Sequence, residues 1–568
     1  SSNQFYKISY FMDSHILVII FITLLYVSVV GFTYITNKSE HPKALFLLFM
    51  TEMWERFSYY GMRALLMLFM VHQLKYADTR ANLIYGTYTA LVYLMPLFGG
   101  MAADRVMGYR KAITLGAILM AVGHFILAIP TEWSFFAGMA FLISGNGFFK
   151  PNISTMVGKL YPDGDPRKDG AFSIFYMGIN VGGGLGALYC GFIGQQGYKY
   201  FSFMTEENSW HYGFGLAGIF MVLGLINFLF SQHLLGDIGL KPDTKEIKPS
   251  SFKINNKHIY IASLLIIPLV YFLFLHYTLM GFIMFPLALL ALMYCILIAE
   301  HPNQEIQSKS LMQFGAFYVV FLLLFLLEPI TGININPILF TVKSFPISLF
   351  LIFIFGMVIF LCVKMAKFAN NNMGVGSKQI TAVILVVLSV LFWAFYEQGG
   401  GSLNLFADRN VNLHGMSAAE VNNNINSTII VLISGLFAAM WVWLAKRGKE
   451  PSTGMKFSLA FFQLGLGFLV FVVGGYFAGV TAKTSLTSFV LGYFLLTTGE
   501  LCLSPIGLSM ITKLAPPKHI GLMMGFWFLA SALGQHLAGV IGTLMAIPSE
   551  DGATTVSAAE SLSIYSSV

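Results

Sequence analysis

Stretches of about twenty apolar residues recur along almost the whole chain, and that recurrence leaves little freedom in the fold. A run of that length crosses the hydrocarbon core as an α-helix. In lipid every backbone amide and carbonyl must find a partner inside the protein, so the runs predict helices. One run lies at 16–35, and six more at 43–74, 82–103, 111–130, 133–158, 170–194 and 211–235. Four follow near 258–277, 279–299, 311–328 and 346–366, then five near 379–402, 427–445, 456–478, 485–512 and 520–546. The predicted class is all-α, a polytopic membrane protein. Only 10% of its 568 residues are charged, against about 25% in soluble domains, so the bilayer is its principal solvent and partner.

The basic residues test this count. With alternate loops placed inside, 23 Lys and Arg fall on the inner side and seven on the outer. A single missed helix would scramble that asymmetry. The net charge of +7 is therefore topological and predicts no nucleic-acid partner. Cys190, Cys295, Cys362 and Cys502 all lie in apolar runs without metal-ligand spacing, so neither a metal site nor a disulfide is expected. The run at 16–35 lacks a basic leader and a clear cleavage site, and reads as an extra helix rather than a signal peptide. Four segments result: an extra N-terminal helix (1–40), a six-helix bundle (41–236), a linker with additional helices (237–377) and a second bundle (378–568). The second bundle holds five runs, its last helix missing, as a truncated sequence would be. Six helices, a charged linker and a second set match transporters built from repeated halves.

Charges within the spans narrow the function. An ionisable group at mid-bilayer costs at least about 2.5–3.5 kcal/mol and is a functional candidate. Seven stand out: Glu52, Glu55, Arg56, Arg63, Lys150, Glu397 and Glu500. The plain alternative is a set of permanent ion pairs that fix packing, which becomes strained with seven groups on four helices. Glu52, Glu55, Arg56, Tyr59, Tyr60 and Arg63 recur at helical spacing, so they share one face over about 16 Å. Such a stripe suits a water-filled cavity. Four glutamates against three bases leave one negative charge, which a single proton would cancel. The glycines of 182–186 predict close helix packing, and Asn422–Asn424 a helix cap. The aromatics Tyr60, Tyr93, Trp393, Trp527 and Phe528 serve equally as interfacial belt or cavity wall.

Six stretches in order then carry a family likeness. Residues 52–61, EMWERFSYYG, closely resemble a motif of the proton-dependent oligopeptide transporter family. Residues 99–111, GGMAADRVMGYRK, are similar to the loop after the second core helix of major-facilitator proteins. GFFKPNIS (147–154), FSIFYMGIN (172–180), FWAFYEQG (392–399) and GELCLSPIGLS (499–509) complete the set. The resemblance implies the major-facilitator fold of two helix bundles, here with additional helices between them. It also implies proton-coupled symport of di- and tripeptides across the plasma membrane, with protons as the coupling ion and no cofactor. By the same resemblance Arg56 and Lys150 hold the peptide carboxylate, while Asn180, Asn426 and Glu500 form the amino-terminus site. Tyr59, Tyr60, Tyr93, Trp393, Trp527, Phe528 and Ser531 belong with the substrate-binding residues. Glu52 and Glu55 beside Arg56 couple protons, and Arg63–Glu397 and Lys150–Glu500 act as alternate gates between bundles. A monomer in a bacterial inner membrane is the expectation.

Three departures accompany the likeness: more helices between the bundles than bacterial relatives usually carry, the missing twelfth core helix, and Tyr396 where some relatives have a second acid. Rival readings are a carrier of another solute such as nitrate, a peptide sensor that does not transport, and an intramembrane hydrolase. The last lacks any His-Glu-x-x-His or Gly-x-Ser-x-Gly motif.

Overall fold

The protein is described from a computed structural model that covers residues 2–162, 165, 167–241, 255–281, 283–284, 287–288, 375–514, 520–550, 553–554 and 556–568. The expected spans near 311–328 and 346–366, and most of the one near 279–299, lie outside the described residues. Helix α1 spans Ser2–Asn37, followed by α2 (Lys43–His72), α3 (Asp78–Leu94), the short α4 (Pro96–Ala102) and α5 (Tyr109–Leu127). Helices α6 (Glu132–Lys159), α7 (Arg167–Tyr200), α8 (Ser209–Ser231) and α9 (Asn256–Leu275) follow. Beyond the linker come α10 (Val375–Tyr396), the short α11 (Ser402–Asn410), α12 (Ala418–Lys446), α13 (Thr453–Tyr476), α14 (Leu486–Leu514) and α15 (Ile520–Leu544). A two-residue hairpin and α16 (Ala558–Ser567) end the chain. Among the described residues eleven segments are long and apolar enough to cross a membrane. Helices α2 and α6 are long enough too, at 30 and 28 residues, but carry too much polarity to meet that measure.

In the first bundle α2 packs on α7 and α8, and α5 on α6 and α8. In the second, α13 lies on α14 and α10 on α15. The bundles meet along two seams, α3 with α15 and α7 with α12. The glycine run works as expected: Gly182 and Gly186 sit against the backbone carbonyls of Met53 and Phe57 on α2, where any side chain would collide.

Two expectations need correction. Helix α12 begins nine residues before the predicted run, because Ser417 and Glu420 form a reciprocal capping box at 2.8 and 3.3 Å. Asn422, Asn423 and Asn424 are therefore turned into the helix interior and do not cap it. The run predicted over 379–402 is likewise broken. Helix α10 stops at Tyr396, and Glu397–Gly399 form one 3₁₀ turn before α11.

Contacts between the bundles concentrate on the side that the basic residues mark as outer. Arg409 forks onto Asp78 at 2.5 and 2.8 Å, and His72 meets Asp408 at 2.7 Å. Gln196 donates to the Gly415 carbonyl at 2.9 Å and Asn404 to that of Ala64 at 3.1 Å. On the inner half of α12, by contrast, Leu432, Leu436, Val442 and Trp443 are all exposed. The outer end is closed, and among the described residues the hydrogen bonds that join α7 to α12 fall on the outer half of α12.

Candidate functional site

The helical stripe read on α2 forms one wall of a cavity of about 320 Å³ between the bundles. That volume falls in the range of small-molecule sites. A larger recess of about 570 Å³ between α10, α13 and α16 is lined by Phe395, Phe461, Leu464, Phe468 and similar apolar groups. Its polar lining among the described residues is limited to Gln398, Tyr565, Ser566 and Ser567.

At one end of the polar cavity, Arg56 serves two carboxylates. Its Nε donates to Glu52 Oε1 at 2.9 Å and stands 2.6 Å from Glu55 Oε2, the closer contact not being aligned as a hydrogen bond. All three side chains are buried. Glu52 and Arg56 face the cavity, whereas Glu55 lies behind them with Asn146 Nδ2 at 3.5 Å. Glu52 Oε2 and Arg56 Nη2 have no hydrogen-bond partner among the described residues. Lys150, on α6 just before Pro151, holds its ammonium over the Tyr93 ring at 4.5 Å. Among the described residues it pairs with no carboxylate, so Lys150 and Glu500 are parted.

The opposite wall belongs to the second bundle. Tyr396 donates its hydroxyl to Glu500 and accepts from Asn426 Nδ2 at 2.7 Å. The same amide reaches Thr497 at 3.0 Å and Glu500 Oε2 at 3.2 Å. Phe392 stacks on Tyr396 at 5.7 Å and Trp393 meets it edge-on, so the phenol is held in place. Tyr396 is thus a neutral donor that secures the Glu500 carboxylate. Trp393, Trp527, Phe528 and Ser531 line the same space, with Ser531 bonded to the Trp527 carbonyl at 3.0 Å.

Toward the outer end, Arg63 closes the cavity. It pairs with Glu397 through Nη2 and donates from Nε to Tyr85 at 2.6 Å, with Tyr60 at 5.8 Å from its guanidinium carbon. Gly400 makes room for this knot, since a side chain there would strike the Tyr85 hydroxyl and Arg63.

The structure thus gathers Glu52, Arg56, Tyr60, Arg63, Tyr93, Lys150, Asn180, Trp393, Glu397, Asn426, Glu500, Trp527, Phe528 and Ser531 around one cavity. Two expected residues stand differently. Tyr59 lies beneath Arg56 at 5.4 Å and is not part of the lining. Asn180 lines the cavity but spends its amide on the Tyr176 carbonyl at 2.9 Å. Sequence reading passed over Tyr176, Tyr493 and Ser504, which also line it. Their signal was spacing: Tyr176 precedes Asn180 by one turn, while Tyr493 and Ser504 sit two turns before and one turn after Glu500.

A model of the POT family matches residues 110–266 and 357–558. An uncharacterised transporter, YclF of Bacillus subtilis, is 33% identical over 89% of each chain. The peptide transporter YePEPT of Yersinia enterocolitica is 32% identical over 88% of each. Among solved structures, a peptide transporter POT in complex with sulfate superposes with a TM-score of 0.63 at 32% identity, covering 93% of this chain and 91% of that one. The tetrameric PepTSo2 superposes at 0.67 with 26% identity, covering 92% and 93%.

Proposed function

The chain belongs to the POT family, and we infer from that premise that it carries di- and tripeptides inward together with protons. It is a multi-pass peptide transporter of a bacterial inner membrane with the major-facilitator fold. Protons are its only coupling agent, no cofactor takes part, and the transporting unit is one chain.

The observation that carries this reading is the polarity of the cavity: a basic pair at one wall, a carboxylate with an amide at the other, aromatic rings between. A peptide is a zwitterion with the complementary arrangement. Arg56 and Lys150 supply cationic donors for its carboxylate. Glu500, held by Tyr396 and Asn426, takes the ammonium group. The aromatic walls tolerate varied side chains because their contacts are apolar and undirected. Nitrate would use only the basic wall and leave Glu500 facing it, which disfavours an anion carrier.

Peptide uptake into proteoliposomes under an imposed pH gradient tests the reading. Accumulation abolished by a protonophore, and competed by unlabelled dipeptides but not by nitrate, is the expected result. Binding without counterflow would make the protein a sensor instead. Converting the substrate's carboxylate to an uncharged amide should weaken binding about tenfold or more, since hydrogen bonds to charged groups are worth roughly 1.5–3 kcal/mol. Equal affinity for acid and amide would remove Arg56 and Lys150 from that role. Tyr396→Phe should weaken binding of free-amine peptides by several-fold while leaving desamino analogues almost unchanged. An equal loss for both would reduce Tyr396 to packing.

A further inference from the structure

We propose that α1 is a latch that holds the two bundles together on the outer side and so biases the transporter toward its inward-facing state. Helix α1 lies along the first bundle. Thr23 bonds Tyr189 at 2.9 Å and Thr33 reaches the Met177 sulfur at 3.1 Å, both on α7. Tyr34 meets Phe46 of α2 edge-on at 5.0 Å. The Tyr26 phenol occupies the space that Gly184 leaves on α7, where even a methyl group would collide with it. These contacts anchor α1 to one body.

Two residues of α1 reach across to the other bundle. His15 Nε2 is 2.8 Å from Glu420 Oε1 on α12, with its other ring nitrogen 3.2 Å from the Tyr200 hydroxyl of α7. Tyr26 bonds Thr428 at 2.8 Å. Thr428 donates to Asn424 at 2.8 Å, and Asn424 donates to the Gly184 carbonyl at 2.8 Å, which closes a circuit over the α7–α12 seam. His15 and Tyr26 are almost fully buried and, with Ile19 and Thr33, form the buried stripe of a helix whose other described side chains are half-buried or exposed. Both crossing contacts fall on residues 420–428, the outer half of α12. Among the described residues no hydrogen bond, ion pair or ring contact from α1 reaches its inner half.

The consequence follows from this asymmetry. Alternating access requires the outer ends of α7 and α12 to separate at one stage. Because α1 moves with α7, that separation must break His15–Glu420 and Tyr26–Thr428 together. Neither contact is stretched when the inner ends part. The helix therefore weights one state against the other without touching substrate.

Spin labels at K199C and K483C, on the outer ends of the two bundles, would report the outer distance in a background with the natural cysteines substituted. The parent protein should show a dominant short distance. In H15A/Y26F the ratio of long to short should rise at least about tenfold, since the variant removes one neutral and one charge-assisted hydrogen bond. Y26F removes the Tyr26–Thr428 bond, and T428V removes it together with the Thr428–Asn424 bond, both with little change in shape. Each should raise the ratio by several-fold, and the pair together no more than T428V alone. T33V, which loses a contact to α7 and a bond within α1 but none to the second bundle, should leave the distances unchanged. An unchanged distribution in H15A/Y26F, or an equal shift in T33V, would make α1 a packing helix and overturn the proposal. If H15A/Y26F fails to fold, Y26F and T428V decide alone.

Discussion

Glutamine at Glu52 or at Glu55 is expected to abolish proton-driven accumulation of peptide while peptide counterflow continues. The ground is the count of charge around Arg56. Two buried carboxylates share one guanidinium, Glu52 at 2.9 Å and Glu55 at 2.6 Å. The trio carries one negative charge in excess, away from water. Excess charge at that depth is expensive, and a proton on either carboxylate removes it. Proton binding is therefore the step that makes the trio neutral and able to pass through a closed state. Glutamine copies the neutral form in shape and cannot release a proton. With one proton per peptide, a gradient of one pH unit supports about tenfold accumulation, because one unit corresponds to about 1.4 kcal/mol. In E52Q and E55Q the accumulation ratio should fall to about one under the same gradient. The increase of uptake on lowering the external pH should flatten. Concentrative uptake in both variants at the parent level would remove these carboxylates from coupling.

How much of this was legible depended on how costly each residue is in its setting. The stripe on α2 was readable because carboxylates and guanidinium groups inside an apolar run have no cheap explanation. The outer ion pairs were not. Asp78, Arg409, Asp408 and His72 stand at helix ends, where charge is the ordinary consequence of meeting water. Only the fold shows the half-buried Arg409 forked onto the buried Asp78 across 331 positions of sequence. Tyr176 and Tyr493 were hidden for a related reason, since tyrosine is as much at home at a lipid interface as in a polar cavity. The start of α12 was misplaced because apolarity begins late in that helix, while its capping box lies in the polar segment before the run. Tyr396 read as the loss of an acid. In the structure its hydroxyl takes up the carboxylate of Glu500, a relation that needs α10 and α14 side by side.

These pieces fit one cycle. In the proposed cycle the basic wall and Glu500 grip a zwitterion, the Arg56 trio takes a proton, and the outer contacts decide which side is open. Lys150 stands free of Glu500 in the state described, so the basic wall is available to substrate while the outer end is shut. The contacts that shut it are of two kinds: ion pairs and hydrogen bonds between the core bundles, and the two crossings made by α1.

The strongest of those contacts supplies the second large effect. Glu397→Gln is expected to open the outer side and to reduce transport severely. Arg63 and Glu397 come from opposite bundles and are almost fully buried, with Tyr85 orienting the guanidinium at 2.6 Å. Removing one member leaves the other as an uncompensated charge, at a cost of about 3–5 kcal/mol. That cost falls on the outer-closed state, because in the open state water can reach Arg63. The long-to-short ratio between K199C and K483C should therefore rise by about two orders of magnitude or more. Arg63→Ala should act in the same direction. The double variant R63A/E397A leaves neither charge stranded, so its shift should be smaller than that of either single change. The charge swap R63E/E397R should recover only part of the closure, since Tyr85 would no longer meet a guanidinium. A pair that merely fixed packing would lower thermal stability in every state and leave the distance ratio where it was. That outcome, with transport retained in E397Q, would exclude Arg63 and Glu397 as the outer gate.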